Sequence, residues 1–161
     1  MNNYEETDAG FIQFCAALFD RPGVARMCLD LQDRRGWNVN CLLLSAWAAR
    51  LGYALTSQFW AEAKTAIRTL DDEAVKPVRQ IRRQISRNPK FSEELKGGMK
   101  RLLWYAELRA EQAVESALHR TMSSRARRGP SDLTSNLAAY AEEDSSDVTN
   151  LAKLLSESIA G

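Results

Sequence analysis

The segment Gln32-Asp33-Arg34-Arg35-Gly36-Trp37-Asn38-Val39-Asn40 gathers the side chains whose chemistry stands out most. Asn40 falls two residues into an otherwise apolar run, and a buried amide is costly unless it is hydrogen-bonded. Gln32 and Asp33 precede it by one turn of chain. These groups can form a polar clasp that caps two helix ends and fixes their register. Alternatively, Gln32, Asp33, Asn38 and Asn40, with Arg79 or Arg82 opposite, line a small polar pocket. Convergent polar groups in apolar surroundings are the usual mark of a ligand site. Spacing does not separate the two readings.

Other constellations suggest chemistry that the pattern does not complete. Glu107, Glu111, Glu115 and His119 recur every four residues, which places them on one side of a helix. A carboxylate and imidazole stripe suits a di-metal bundle, but such a site takes ligands from several helices and typically two histidines. His119 is the only histidine. A solvated acidic stripe with Glu115 pairing His119 is therefore the expectation. Asp30 and Asp33 share a helix face at i, i+3, yet no second acidic motif answers them as a divalent cation would need. No G-x-S-x-G elbow is present, nor the C-x-x-C spacing of a zinc site. We expect no catalytic residue, no metal and no cofactor.

Lys76, Arg79, Arg83 and Arg87 stack on one side of a basic segment that also carries Arg82. Like charges at this spacing repel unless something anionic answers them. Nucleic-acid phosphate, an acidic protein surface, or this chain's own glutamates and acidic tail could do so. Trp37, in a turn, is a candidate anchor for a partner.

The elements that must hold these residues read as helices nearly throughout, because apolar residues recur at helical spacing and period-two alternation is missing. Phe11, Phe14, Cys15, Leu18 and Phe19 define a first helix over about Thr7–Asp20. Val24, Cys28 and Leu31 define a second, closed by Gly36. Asn38 caps a third, through Leu51, that is apolar almost all round and should be the hub. A fourth opens at Thr56 or Ser57. Asp71-Asp72-Glu73 reads as the acidic first turn of a fifth, with Val75, Val78, Ile81 and Ile85 inward. A long helix from Ser92 to about Met122 should turn Leu95, Met99, Leu102, Ala106, Ala113, Ala117 and Leu118 inward, weakened by Gly97-Gly98. Trp47, Trp60 and Trp104 should be core. Two amphipathic segments follow, around Leu133–Tyr140 and Val148–Ile159.

The expected fold is all-α: a compact bundle of about six helices around a central apolar helix, plus the two C-terminal segments. Residues 1–123 form the helical core domain, 124–130 a basic linker and 131–161 an acidic helical tail. The 161 residues carry 45% apolar and 27% charged side chains and a net charge of +1, ordinary for a globular chain and too neutral to imply a polyanionic partner. Charge is nevertheless segregated. Residues 74–128 hold 14 Lys and Arg against 5 acids, whereas 129–161 hold 1 against 6. Cys15, Cys28 and Cys41 fit no disulfide framework and read as small buried hydrophobes. The start lacks a basic region followed by an apolar run, and Cys41–Ala49 is too short to span a bilayer, so a cytoplasmic location is expected.

Pro22-Gly23-Val24, Cys28-Leu29-x-Leu31-Gln32-Asp33, Gly36, Val39-Asn40 and Leu43 to Trp47 together resemble the domain-of-unknown-function family 2390, a group of uncharacterised proteobacterial proteins. Val75-x-Pro77-Val78-Arg79-x-x-Arg82-Arg83 and Glu107-Leu108-x-Ala110-Glu111 also look like that family, which more often has Leu at the position of Val78. The likeness spans roughly Phe11 to Leu118 and implies no particular chemistry. The residues therefore favour a non-enzymatic interaction or accessory protein with a protein partner. A small-molecule binder or enzyme using Gln32, Asp33, Asn40 and Arg82, and a nucleic-acid binder using Arg79–Arg87, are the alternatives. Nucleic acid and membrane are not the expected partners, and association with copies of itself stays open.

Overall fold

The computed structural model describes residues 4–130 and 132–160, and it is all-α apart from one two-residue strand pair. Helix α1 (Asp8–Phe19) starts where Thr7 accepts a hydrogen bond from the Gly10 N–H at 3.1 Å. Helix α2 (Val24–Arg35) ends on Gly36 and α3 (Val39–Leu51) on Gly52. Both glycines sit at positive φ, +68° and +76°, where a Cβ would be strained. Every residue of α3 from Asn40 to Ala48 is buried, and α1, α2, α6 (Glu93–Arg125) and α7 (Leu133–Ala141) pack around it. The apolar third helix is the hub, as its all-round composition implies.

After β1 (Tyr53–Ala54), helix α4 (Ser57–Leu70) passes through a π-helical turn, Asp71–Val75, straight into α5 (Lys76–Arg87). The acidic triplet is thus not the start of a separate helix. Pro77 lacks an N–H and its ring crowds the carbonyl four residues back. A wider turn just before it, with the Lys76 N–H donating to the Asp71 carbonyl, keeps the helix running. The resulting rod lies antiparallel to α6: Arg125 meets Glu62 at one end, while Glu111 and Glu107 meet Arg79 and Arg82 towards the other.

The last two helices join the same core. Leu133, Leu137 and Tyr140 of α7, and Val148, Leu151 and Leu155 of α8 (Ser146–Ala160), belong to one apolar cluster with α1 to α4. Segment 124–130 supplies β2 (Arg127–Arg128), antiparallel to β1 with Tyr53 opposite Arg128. Arg128 lies over the Tyr53 ring at 4.8 Å, donates to the Leu51 carbonyl and pairs with Glu6. Among the described residues no helix is long and apolar enough to cross a membrane.

Asn136 clamps this assembly, a role its sequence position did not advertise. It is fully buried. Its Oδ1 accepts from the Leu55 N–H at 2.9 Å, its Nδ2 donates to the Tyr53 carbonyl at 3.1 Å, and its own carbonyl accepts from Trp60 Nε1. Asn136→Leu strands the Leu55 N–H and the Tyr53 carbonyl, while the main-chain carbonyl at 136 still accepts from Trp60, so we expect a loss of about 2–3 kcal/mol in a denaturant titration. A loss below about 1 kcal/mol would show that the clamp is dispensable.

The inward face expected of α6 is out of phase with the one observed. Its buried residues are Glu107, Val114, Glu115, Leu118, His119 and Met122, and it buries none from Glu93 to Ala106. Leu95, Leu102 and Ala106 therefore face solvent instead of core, as does Ile81 on α5. Trp104 is exposed as well, unlike Trp47 and Trp60. The hydrophobic period misleads here because the true core stripe of α6 contains acids whose partners come from other helices. Glu93–Ala106 of α6 and the second half of α5 form a two-helix arm in which, among the described residues, only Ile85 is buried.

Candidate functional site

The basic segment and the glutamate stripe meet where the arm joins the body. Arg79 Nε donates to Glu107 Oε1 at 2.8 Å, Nη2 to Glu111 Oε1 at 2.8 Å, and Nη1 to Gln32 Oε1 at 2.9 Å. Arg82 Nε donates to the other Glu107 oxygen at 2.6 Å. One guanidinium thereby ties α2, α5 and α6 together through planar, charge-assisted bonds. The stripe is not a solvated face: Glu107 and Glu115 are buried. Burial works to raise the Glu107 carboxyl, and the bonds from Arg82 and Arg79 outweigh it, holding that carboxyl below its ordinary value. For Glu111 burial prevails over Arg79, and its carboxyl is raised.

Beside this network runs a groove of about 440 Å³ between α2 and α5, lined by Gln32, Asp33, Lys76, Arg79, Gln80, Arg83, Gln84 and Arg87. It places Gln32 and Asp33 beside Arg79, the partner the pocket reading names, and adds Lys76, Arg83 and Arg87 of the cationic stack. The cations differ in what is left to them. Arg79 is fully engaged, and Lys76 pairs with Asp71 and Asp72 at 2.9 and 2.6 Å. Arg83 makes only a long contact to Asp33, 3.4 Å, and Arg87 forms no ion pair among the described residues. The free cationic capacity thus lies at the arm end of the groove. The tail's acids do not answer it. Asp147 and Glu143 pair with Arg34 and Arg35, and Glu142 with Lys64.

Asn38 and Trp37 lie in a different cavity, of about 360 Å³, together with Cys41, Lys64, Asp71 and Tyr140. Asn38 accepts from the Asn40 N–H at 2.9 Å and donates to Asp71 at 3.2 Å, while its backbone N–H donates to the Tyr140 hydroxyl at 2.7 Å. These are clasp bonds, capping α3 and seating α7. Trp37 is half-buried, edge-on to Tyr140 and under Arg35. Asn40 is buried, and neither it nor Arg82 lines either cavity. Asp30 pairs with Arg34 on the surface. No group of three His, Cys, Asp or Glu able to hold a metal ion occurs among the described residues.

A second buried polar cluster sits under α1, and the expected Glu115–His119 pair is not made. His119 Nδ1 lies 2.7 Å from Asp8 Oδ1, and the other Asp8 oxygen accepts from Arg120 at 2.8 Å. Burial opposes ionisation of Asp8, but His119 and Arg120 prevail and hold it low. Glu115 faces Cys15 and has Glu111 one turn away; burial pushes its carboxyl up to about 8. The Cys15, Cys28 and Cys41 thiols are buried and raised, the latter two to about 12, so none is a poised nucleophile.

What remains free on this surface is apolar and lies on the arm. Leu102 is 75% exposed, Tyr105 60%, Trp104 59%, Leu95 48% and Ile81 45%. Helical spacing puts Trp104 on the side of α6 that carries Glu111, and Leu102 on the opposite side, because residues two apart point about 200° apart.

The model of a family described as a protein of unknown function, DUF2390, matches residues 11–118. No curated protein and no solved structure matches the chain.

Proposed function

This chain belongs to the DUF2390 family, whose matched region contains the whole arm and groove, and from that premise we propose that it is a non-enzymatic cytoplasmic docking protein. The occupant of the groove is an acidic segment of a partner protein, seated between α2 and α5 with an apolar residue on Trp104.

The observation that carries this reading is the arm itself. Trp104, 59% exposed, stands on the side of α6 that carries Glu111, and Arg83 and Arg87 of the neighbouring α5 have little or no ion pairing among the described residues. An exposed aromatic on the same arm as unneutralised cations is what an amphipathic acidic partner complements. Arg83, Arg87 and Trp104 supply charge and anchor, while Arg79, already bonded three times, supplies rigidity. The sparing of Arg79 also argues against phosphate as the ligand, since the best-ordered guanidinium is used internally. The three buried, unpaired thiols suit a reducing compartment.

A photo-crosslinking residue installed at position 87 in cells tests this, followed by binding of the captured protein, purified, to the intact chain. Capture of a protein through an acidic surface is expected, with Arg83→Glu/Arg87→Glu and Trp104→Ala each weakening binding at least about tenfold. The charge reversal should act most strongly at low salt. Capture of nucleic acid, or unchanged binding by both variants, overturns the reading.

A further inference from the structure

The far side of α6, turned away from Trp104, has no part in that docking. Leu95, Gly98, Leu102, Tyr105 and Arg109 follow one another at steps of three, four, three and four residues. That is the 3.5-residue spacing of a two-stranded coil's seam, kept here over two heptads. Leu95, Leu102 and Tyr105 are about half exposed or more, and a Cβ built on Gly98 meets nothing within 4 Å. Glycine inside a solvent-facing helix costs about 1 kcal/mol against alanine, with no contact inside this chain to offset it.

We infer that this seam joins two copies of the chain, with their α6 helices antiparallel. The seam complements itself only in that direction. Antiparallel layering sets Leu102 of one copy into the gap over Gly98 of the other, and Leu95 against the second copy's Tyr105. Each large side chain meets a smaller one, twice by symmetry, as an isologous interface requires. Glu94, which forms no ion pair among the described residues, comes alongside the second copy's Arg109 at each end of the contact. A parallel pairing instead sets Gly98 against Gly98, leaving a void, and Glu94 against Glu94. Arg101 stays at the solvent rim. The groove takes its lining from α2 and α5 alone, so no residue of the seam belongs to it.

Sedimentation of the full chain over a roughly hundredfold concentration range reads the association. A reversible dimer is expected. Gly98→Leu is the discriminating variant: within one copy the new side chain has open space and better helix propensity, so the melting temperature should hold or rise. In the dimer it fills the gap for Leu102, and association should weaken at least about tenfold. Direction is read separately by disulfide formation. Leu95→Cys mixed with Tyr105→Cys should cross-link, whereas each alone should not, since its two copies lie about 15 Å apart along the axis. The native thiols are buried and add little background. A monomer at every concentration, a dimer indifferent to Gly98→Leu, or cross-linking of each cysteine variant with itself overturns the proposal. None of these outcomes bears on the Arg83, Arg87 and Trp104 docking reading.

Discussion

Replacing Glu107 by alanine is expected to destabilise the protein by about 3 kcal/mol, more than a typical core truncation of comparable size. The carboxylate is buried and accepts from two guanidinia, at 2.8 Å from Arg79 and 2.6 Å from Arg82. Its removal leaves two cations facing each other beneath α6. Arg82, about one-third exposed, recovers some hydration, which keeps the loss at the lower end for a broken buried pair. For a chain of this size, about 3 kcal/mol corresponds to a fall in melting temperature of roughly 10 °C. Glu107 is also low in pKa, so its contribution is present above the ordinary carboxylate range and fades as pH falls through the lowered value. The wild type should thus lose stability on acidification in a way the alanine variant does not. Hydrogen exchange adds a spatial readout. Amides of α5 and of the first half of α6 should speed up, while those of α3 and α8 stay slow. A variant that melts within about 2 °C of wild type, with unchanged arm exchange, would show that the network does not hold the arm.

This prediction rests on the part of the molecule that sequence reading resolved least. The hub was legible because α3 is apolar on every side, and no partner arrangement can leave such a helix outside. The turns were legible for a local reason: Gly36 and Gly52 follow the last periodic residue of their helices and adopt the left-handed conformation there. The α6 face was not legible. Its apolar residues mark the wrong side over Leu95–Ala106, and its core side carries Glu107, Glu115 and His119. Charged residues read as solvated unless their partners are known, and Arg79, Arg82 and Asp8 lie about 28, 25 and 111 residues away in sequence. Spacing within one helix holds no information about such distant partners. The one available signal was complementary: two arginines three apart and two glutamates four apart, on helices joined by a short turn. For the candidate site, sequence reading set Gln32 and Asp33 near Arg79 but did not separate them from Asn38, Asn40 and Arg82, which line no part of that groove, nor add Arg83 and Arg87 to it. It found the α3 cap at Asn38 but not Asn136, since a buried asparagine in an amphipathic helix has no local signature.

The second large effect concerns pH and has the opposite sign. Glu115 of α6 is buried, facing Cys15 of α1, with Glu111 one turn before it and the Asp8–His119–Arg120 group one turn after. Burial raises its carboxyl to about 8, and Glu111 adds to the shift. An acid whose folded pKa is raised favours folding in its protonated form. Its contribution is complete below the unfolded value, near 4.5, and is lost as pH climbs through about 8. Across that interval the wild type should lose about 4 kcal/mol of unfolding free energy relative to a group that does not titrate. Glu115→Gln keeps the shape and removes the proton equilibrium. The two proteins should be close in stability near pH 4.5 and diverge steadily above it, with the glutamine variant more stable by several degrees in melting temperature at neutral pH. Asp8 and Glu107, both held low, titrate below this window and cancel in the comparison. Glu111, also raised, is common to both proteins. Paired urea titrations at intervals from pH 5 to pH 8.5 measure the difference directly. Parallel stability curves would mean that Glu115 reaches water in the folded state, and would place the α1–α6 seam among the open parts of the molecule instead of the sealed ones.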